Sequence, residues 1–551
     1  MNAEEVKALA RAGESLSVEF KTEVNDDRLV EAVVCLANAD GGRILLGVAD
    51  DGSITGTTPR HGTTTDPVRL ASMIAGRTAP SVVVEAEVHA IDGKHVVAVH
   101  VAPPRTIVST SGGLYLRRAI DVQGKPTCVP MLPHEQLGRA GAIGAVDVSL
   151  LPLPGATKPD LDPAELARFR DLAGGQGDRV LATLSDHDLI TALGFLLPGG
   201  VLALGAVLLF GTDAAIERFI PTHETAFQVL GNLDVVVNRI DRRPLLRAMI
   251  ELTTAIEPYN PEEEIEDGLF RIGLPRFADS TLRELVANAL VHRDYAMRGQ
   301  VRVAIEDGVL AISNAGGFPA GITVGNVLTA PPNARNPRLA DAFKRAGIVD
   351  RTGRGINKVY WSQLALGRAA PDYGRSTAQW VEVRVRPGPA DRELAAFVAG
   401  AERRGDRLSL PTLQVLHEVR GEGRITSSRA AELLQLNQDE ARALLNELVG
   451  RGNLESRGER KARTYHLSAA MYRQLGRPAD YVRTRGFDRI QQEEMVVTYA
   501  REHGSITRRE AATLCQLSDD QASRLLRGLA ASGRLEMEGS RRSARYREPA
   551  R

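Results

Sequence analysis

The chain of 551 residues is 43% hydrophobic and 25% charged, and its 69 Lys+Arg balance 69 Asp+Glu. That length predicts three to five domains of about 100–200 residues, each with enough apolar residues for a core. Met1–Gly13 carries acids and no apolar stretch, and Cys35, Cys128 and Cys515 match no metal or disulfide spacing, so the expectation is no secretory leader and a reducing cytoplasm.

From Gly13 to Thr22, Leu16, Val18 and Phe20 alternate with Ser17, Glu19 and Lys21, which predicts a strand with one apolar and one polar face. A helix is predicted over about Arg28–Ala39, stopped by Asp40-Gly41-Gly42. An apolar strand at Ile44–Val48 follows and ends in Asp50-Asp51-Gly52. The order strand–helix–strand can bring Glu14, Glu19 and Asp50 to one edge. Three carboxylates beside a lysine are what a divalent-metal nuclease uses: the acids hold Mg2+ or Mn2+, and the metal stabilises charge on the attacked phosphate. A plainer role fits the same residues, with Glu19 and Lys21 as a surface ion pair and Asp50 as a turn cap.

Glu14, the Glu19-Phe20-Lys21 triplet, Asn38, Gly41-Gly42 and Gly47-Val48-Ala49-Asp50 together resemble the Schlafen-type AlbA-like domain. Gly113-Leu114-Tyr115-Leu116-Arg117 is similar to its closing strand. The resemblance covers about residues 8–136 and implies an α/β domain over 1–140. In eukaryotic Schlafens the acids matching Glu14, Glu19 and Asp50 cut structured RNA. Many bacterial relatives keep the motif and are regarded as regulators or ligand-binding modules. RNA is therefore one implied partner.

Pro152-Leu153-Pro154-Gly155 and Pro159 mark a linker, and residues 155–255 read as a small α/β connector. Its apolar run Ile190–Gly211 is split by Pro198-Gly199-Gly200, whereas a membrane helix needs about 20 uninterrupted apolar residues. The expectation is a short helix, a tight turn and a buried strand at Val201–Phe210. Beyond it, Leu282, Leu285, Ala289 and His292 recur at helical spacing, which puts Glu284 and Asn288 on one helix face. Thr281-x-x-Glu284 also has the spacing of a capping box, and His292-Arg293-Asp294 reads as a structural polar cluster. Downstream, Leu310–Asn314 predicts a strand leading into Gly316-Gly317. Gly353-Arg354-Gly355 then opens a helix, where backbone N–H groups can hold phosphates.

Glu284 with Asn288, Asn314 with Gly316, and Gly353 with Gly355, in this order, resemble the gyrase, histidine-kinase and MutL type of ATPase, the GHKL fold. The resemblance implies an α/β sandwich over 256–390 with ATP and Mg2+ as cofactors. Glu284 would orient the attacking water and Asn288 would ligate Mg2+. Asn314 stands where the family often has an aspartate for adenine N6. An amide accepts from N6 more weakly than a carboxylate does.

At the C-terminal end, residues 425–465 and 506–546 align without a gap at an offset of 81: Ala430, Leu445, Leu448, Gly452 and Tyr465 match Ala511, Leu526, Leu529, Gly533 and Tyr546. Such a repeat reports one supersecondary unit used twice. In the first copy Thr426 opens a short helix, Asn437 caps a second, Gly452 ends it, and a β-wing turns at Gly458. Ser518 and Gly533 do the same work in the second copy. The unit resembles a winged helix-turn-helix, at 405–470 and again at 486–548. That resemblance implies duplex DNA as partner. The second helices would present Arg442 and Arg524, and the wings would place Arg460, Lys461, Arg463, Arg541, Arg542 and Arg545 on phosphates. Winged helices also bind proteins, and Asp439, Glu440, Asp519 and Asp520 count against groove contact. Charge favours nucleic acid: residues 405–551 carry 26 Lys+Arg against 20 Asp+Glu, a net +6, which leaves −6 on the rest.

The whole order resembles a family of predicted bacterial transcriptional regulators with a helix-turn-helix, likened to the C-terminal part of RecG helicase. No Gly-x-x-x-x-Gly-Lys-Ser/Thr occurs, so no helicase motor is expected. The fold class is multidomain α+β: an AlbA-like α/β domain, a GHKL-like α/β sandwich and tandem winged helices. Two functions stand. One is a DNA-binding regulator whose state is set by nucleotide in the middle domain. The other is a metal-dependent nuclease, acting in defence, that uses the rest for targeting. Regulators that read paired half-sites are symmetric dimers, so a homodimer is expected, with no membrane partner.

Overall fold

The apolar strand expected near Ile44 is buried on both faces, and this explains its unbroken apolar run. In a computed structural model of the protein, helix α1 (Ala3–Ala12) precedes strand β1 (Val18–Lys21), helix α2 (Asp26–Ala37) and strand β2 (Gly42–Leu46). β1 and β2 pair in parallel. After helix α3 (Pro67–Gly76), β3 (Val84–Ile91) and β4 (Lys94–Val101) add antiparallel strands, giving the order β1-β2-β4-β3. Ile44 and Leu46 pack with α2, while Leu45 packs with Phe20, Val6 and Ala10 on the α1 side. A separate antiparallel hairpin, β5 (Leu116–Ile120) and β6 (Pro126–Pro130), leads into helix α4 (Pro133–Ala142).

β1 departs from the expected two-faced strand. It begins at Val18, Leu16 is exposed, and Glu19 is buried along with its neighbours. Cys35 of α2 and Cys128 of β6 form a disulfide with Cα atoms 5.9 Å apart, although 93 residues separate them in the chain. The expectation of no disulfide fails because the packing of α2 on the β5–β6 hairpin brings the two together, and no spacing along the chain encodes that contact.

The structure describes residues 1–104, 106–231, 234–267, 270–349, 354–386, 388–458, 463–475, 489–515, 517–539 and 544–549. Of the sequence candidates, Gly353, Arg460, Lys461, Arg541 and Arg542 lie outside the described residues. The chain divides into two units, one of Met1–Glu264, Gly273–Gln363 and Arg368–Pro389, the other of Ile265–Ile272, Leu364–Gly367 and Ala390–Arg551.

In the first unit, α5 (Pro163–Gly175), α6 (Asp186–Ala192), α7 (Leu204–Phe210) and α8 (Asp213–Phe219) follow the linker. The tight turn at Pro198–Gly200 forms as expected, but the strand expected over Val201–Phe210 does not: only Val201–Leu202 is extended, and α7 takes the rest. All seven α7 residues are buried. A short run buried all round shows no period, so the sequence pattern cannot separate helix from strand.

Next come β7 (Thr225–Gly231), β8 (Asp234–Asp241), α9 (Leu245–Ile256), α10 (Asp279–His292), β9 (Val301–Glu306), β10 (Val309–Ala315), α11 (Pro337–Arg345), α12 (Gly355–Ala365) and β11 (Trp380–Val385). The five strands form one sheet, β8-β7-β9-β10-β11. Only β7 and β9 pair in parallel. The middle sheet therefore recruits β7 and β8 from the segment 155–255, and a boundary at 256 cuts through it.

The second unit holds α13 (Arg392–Arg403), α14 (Leu410–Glu422), α15 (Ser427–Leu434), α16 (Gln438–Gly450), the hairpin β12 (Leu454–Arg457) and β13 (Thr464–Leu467), and α17 (Ala469–Gln474). Then come α18 (Arg489–His503), β14 (Ile506–Thr507), α19 (Arg508–Cys515), α20 (Asp519–Ala531), β15 (Glu536–Glu538) and β16 (Arg545–Arg547). The ends of α15 and α19, and of α16 and α20, differ by 81, the offset of the sequence repeat. Asn437 and Ser518 each close a capping box at the second helix of their copy. Among the described residues no helix is long and apolar enough to cross a membrane.

Candidate functional site

α10 starts one turn earlier than the motif suggested. Asp279 opens it behind Ala278, so Thr281 lies inside the helix, buried, with no partner for Oγ1. The capping box at Thr281 is therefore not formed. Asn288 lies one turn on, and its Nδ2 donates to Glu284 Oε1 at 3.3 Å. Both side chains line a cavity of about 390 Å³, the size range of small-molecule sites.

Three separated segments meet at that cavity. From α10 come Glu284, Asn288 and His292, from β10 comes Asn314, and from the start of α12 come Arg354, Gly355 and Asn357. Gly355 packs against the carboxylate of Glu284. Asn314 is buried, and its Nδ2 donates to Ala315 O at 3.1 Å, which leaves Oδ1 as the amide's acceptor. Gly316 does not line the cavity. Its positive φ (94°) turns the chain off β10, and its N–H donates to Gln379 O at 2.7 Å. Lys344 from α11 reaches the same cavity, and sequence reasoning missed it together with Arg354 and His292 as lining groups.

The electrostatics are set by burial. His292 Nδ1 is buried with no partner, and burial, then Arg335 and Lys344, pushes its pKa down to about 4, so the ring is neutral. Burial also holds the Tyr373 phenol far above its usual range. Arg293 and Asp294 are structural, as the polar-cluster reading expected. Arg293 donates to the carbonyls of Gly299, Met297 and Thr222, and Asp294 pairs with buried Arg335 at 3.2 Å. The same Arg335 guanidinium donates to Gly317 O at 2.9 Å and to Gly138 O at 3.3 Å.

Glu14, Glu19 and Asp50 line a cleft of about 620 Å³ with Lys21 and Arg118. Glu19 and Glu14 already have partners, however. Arg118 binds Glu19 Oε2 and Lys21 binds Glu19 Oε1, while Glu14 Oε1 accepts from Phe20 N–H at 2.7 Å. Arg118 also donates to Ser15 O and Val18 O, both at 3.1 Å. Burial, more than the nearby Glu19 charge, raises the pKa of Glu14. Among the described residues no group of three His, Cys, Asp or Glu side chains is placed to hold a metal. With Glu19 spent on two cations, this donor set does not fit Mg2+ or Mn2+.

In the second unit Arg442, Arg463, Arg524 and Arg545 are all exposed. Arg442 is held by Asp439 at 3.0 Å.

Residues 14–123 match the family model "Schlafen, AlbA_2", and residues 299–385 match "Putative ATP-dependent DNA helicase recG C-terminal". Neither match spans half of the chain. The second begins after α10, so it takes in Asn314, Gly316 and Gly355 but not Glu284 or Asn288. The crystal structure of the DIP2311 protein from Corynebacterium diphtheriae is similar over 100% of this chain and 98% of that one, at 23% identity and a TM-score of 0.50, which shows a shared fold. The N-terminal domain of a RecG-related protein from Nitrosomonas europaea, in solution, is 21% identical over 19% of this chain and 74% of its own; its TM-score of 0.15 carries no argument. No curated protein matches.

Proposed function

We propose that the protein is a DNA-binding transcriptional regulator whose state is set by an adenine nucleotide in the middle domain. The observation that carries the reading is the cavity where Glu284, Asn288, Asn314 and Gly355 converge from three separated segments. A set dispersed over some seventy residues has no structural need to meet around open space. The donor types fit a nucleotide with Mg2+. Asn288 offers a carboxamide oxygen to the metal, and Asn314 Oδ1 offers an acceptor to adenine N6. The start of α12, with Lys344 and Arg354 lining the same cavity, would hold the phosphates through backbone N–H groups. Bound Mg2+ and phosphates would supply the charge at the centre of the site. Glu284, bonded to Asn288 in the same cavity, would orient the attacking water.

The paired repeats, each with three helices and a β-hairpin or small sheet, support winged helix-turn-helix modules that hold duplex DNA. The protein acts where its DNA is, in the cytoplasm, as a homodimer. The nuclease reading is disfavoured by Glu19, whose two oxygens are already ion-paired. Fluorescence anisotropy of the full chain on labelled duplex, with and without ATP and Mg2+, tests the proposal. Binding whose affinity shifts with nucleotide is expected. Binding that ignores nucleotide removes the switch, and Mn2+-dependent cleavage of DNA or RNA replaces the regulator with the nuclease.

A further inference from the structure

The two C-terminal copies share a backbone plan but not a charge plan. Beyond exposed Arg442, whose counterpart 81 residues on is Ser523, the middle of α16 exposes Ala443, Asn446 and Glu447. The positions 81 residues on, in α20, are Arg524, Arg527 and Gly528. Counting every charged side chain, α16 has Asp439, Glu440, Arg442 and Glu447, a net −2, while α20 has Asp519, Asp520, Arg524 and Arg527, a net 0.

The ion pairs sharpen the contrast. In the first copy Arg429 is held by Glu418 at 2.7 Å, Arg442 by Asp439 at 3.0 Å, Arg451 just past α16 by Glu447 at 2.7 Å and Arg457 by Glu455 at 2.7 Å. In the second copy Arg501, Arg508, Arg534 and Arg547 are likewise paired, with Glu548, Asp519, Glu493 and Glu494, and Glu538, so the contrast lies in the second helix itself. Arg524 and Arg527 point their Nε groups at the carbonyls of Asp520 and Ser523 in their own helix and meet no carboxylate among the described residues. A guanidinium that rests on its own helix can turn to a phosphate without breaking an ion pair, whereas Arg442 must leave Asp439 first.

We infer that the copies are not equivalent: α20 of the second copy, through Arg524 and Arg527, is the helix that engages duplex DNA, and the α16 face of the first copy is not a DNA surface. The inference rests on the winged helix-turn-helix reading above and specifies which half of it does the binding.

Full-length protein tests it by anisotropy on a labelled mixed-sequence duplex across a salt series. R524A/R527A is expected to weaken binding at least about tenfold. It is also expected to flatten the slope of log K against log salt by about 1.8, because each phosphate contact contributes about 0.9. R442A should change affinity less than about twofold. Both sites are exposed, so melting curves should match wild type, and R524Q/R527Q gives the same readout if the alanine pair melts early. An R442A loss equal to that of the pair, or a neutral pair in a protein that binds DNA, overturns the inference and leaves the winged-helix reading standing. A wild-type protein that ignores DNA at low salt overturns both.

Discussion

A Cβ placed on Gly355 would come within 1.7 Å of Glu284 Oε1. The first residue of α12 and the acid of α10 are thus fitted to each other across the cavity, and only a glycine permits the fit. Gly355→Ala is expected to turn the carboxylate off its position, at a cost of about 0.5–1.5 kcal/mol for a strained rotamer. Its new position invades the space left for phosphate. Calorimetry with ATP and Mg2+ should show at least about a tenfold loss of affinity, while the melting temperature falls by only a few degrees. Wild-type affinity in this variant would falsify the assignment of the α12 start as the phosphate end of the cavity.

Asn288 and Glu284 should separate binding from turnover, although their side chains are bonded to each other. Asn288→Ala removes the carboxamide oxygen offered to Mg2+ and is expected to abolish nucleotide binding. Glu284→Ala takes away a carboxylate that must otherwise be kept from the phosphates, so binding should survive and any hydrolysis should stop. Phosphate release and binding isotherms on the same preparations check this. Hydrolysis retained by Glu284→Ala would mean that another group orients the water.

The sequence made the C-terminal repeat legible to the residue, because helix caps such as Asn437 and Ser518 and stops such as Gly452 and Gly533 are local signals. It also made the Glu284–Asn288 pair legible, since a helical period fixes which side chains share a face. Contacts across long distances were not legible. Nothing near Glu19 announces that Arg118, a hundred residues on, neutralises it, and nothing near β9 announces β7 as its parallel neighbour. Lys344 and His292 joined the cavity unforeseen for the same reason. A lysine or histidine carries no sign of its neighbour until α11 and α10 are packed.

Arg118 should prove a structural residue, and its loss should be costly. Its side chain is 1% exposed and its partner Glu19 is 8% exposed, so removing the guanidinium leaves a buried carboxylate with half-exposed Lys21 as its remaining cation. Breaking such a pair costs about 3–5 kcal/mol. Arg118→Ala is expected to lower the urea midpoint accordingly, and adding Glu19→Gln should recover part of the loss by removing the stranded charge. Mn2+ should leave the wild-type melting temperature unchanged, because a ligand raises it only by binding the folded state. A rise with Mn2+ that Glu19→Gln abolishes would restore the metal site and, with it, the nuclease reading.

Two buried histidines should contribute to the loss of stability in acid. Burial pushes both His223 and His292 down to about 4, chiefly through desolvation, with Arg293 acting on the first and Arg335 on the second. His223 Nε2 meets Arg243 O at 2.8 Å, and neither ring has a partner for Nδ1. In the unfolded chain each titrates near 6.5. Between pH 6.5 and 4 the unfolded state therefore binds up to two more protons than the folded state. Stability must fall with pH in that window, by about 1.4 kcal/mol per pH unit for each histidine that stays neutral. Above pH 6.5 both states are neutral at these rings and the slope from them vanishes. Chemical denaturation at a series of pH values should show the fall beginning near 6.5. His292→Asn, which cannot titrate, should remove about half of the slope whatever it does to stability at pH 8. An unchanged slope in that variant would mean that His292 takes up its proton inside the folded protein, with a group in the cavity placed to accept from it.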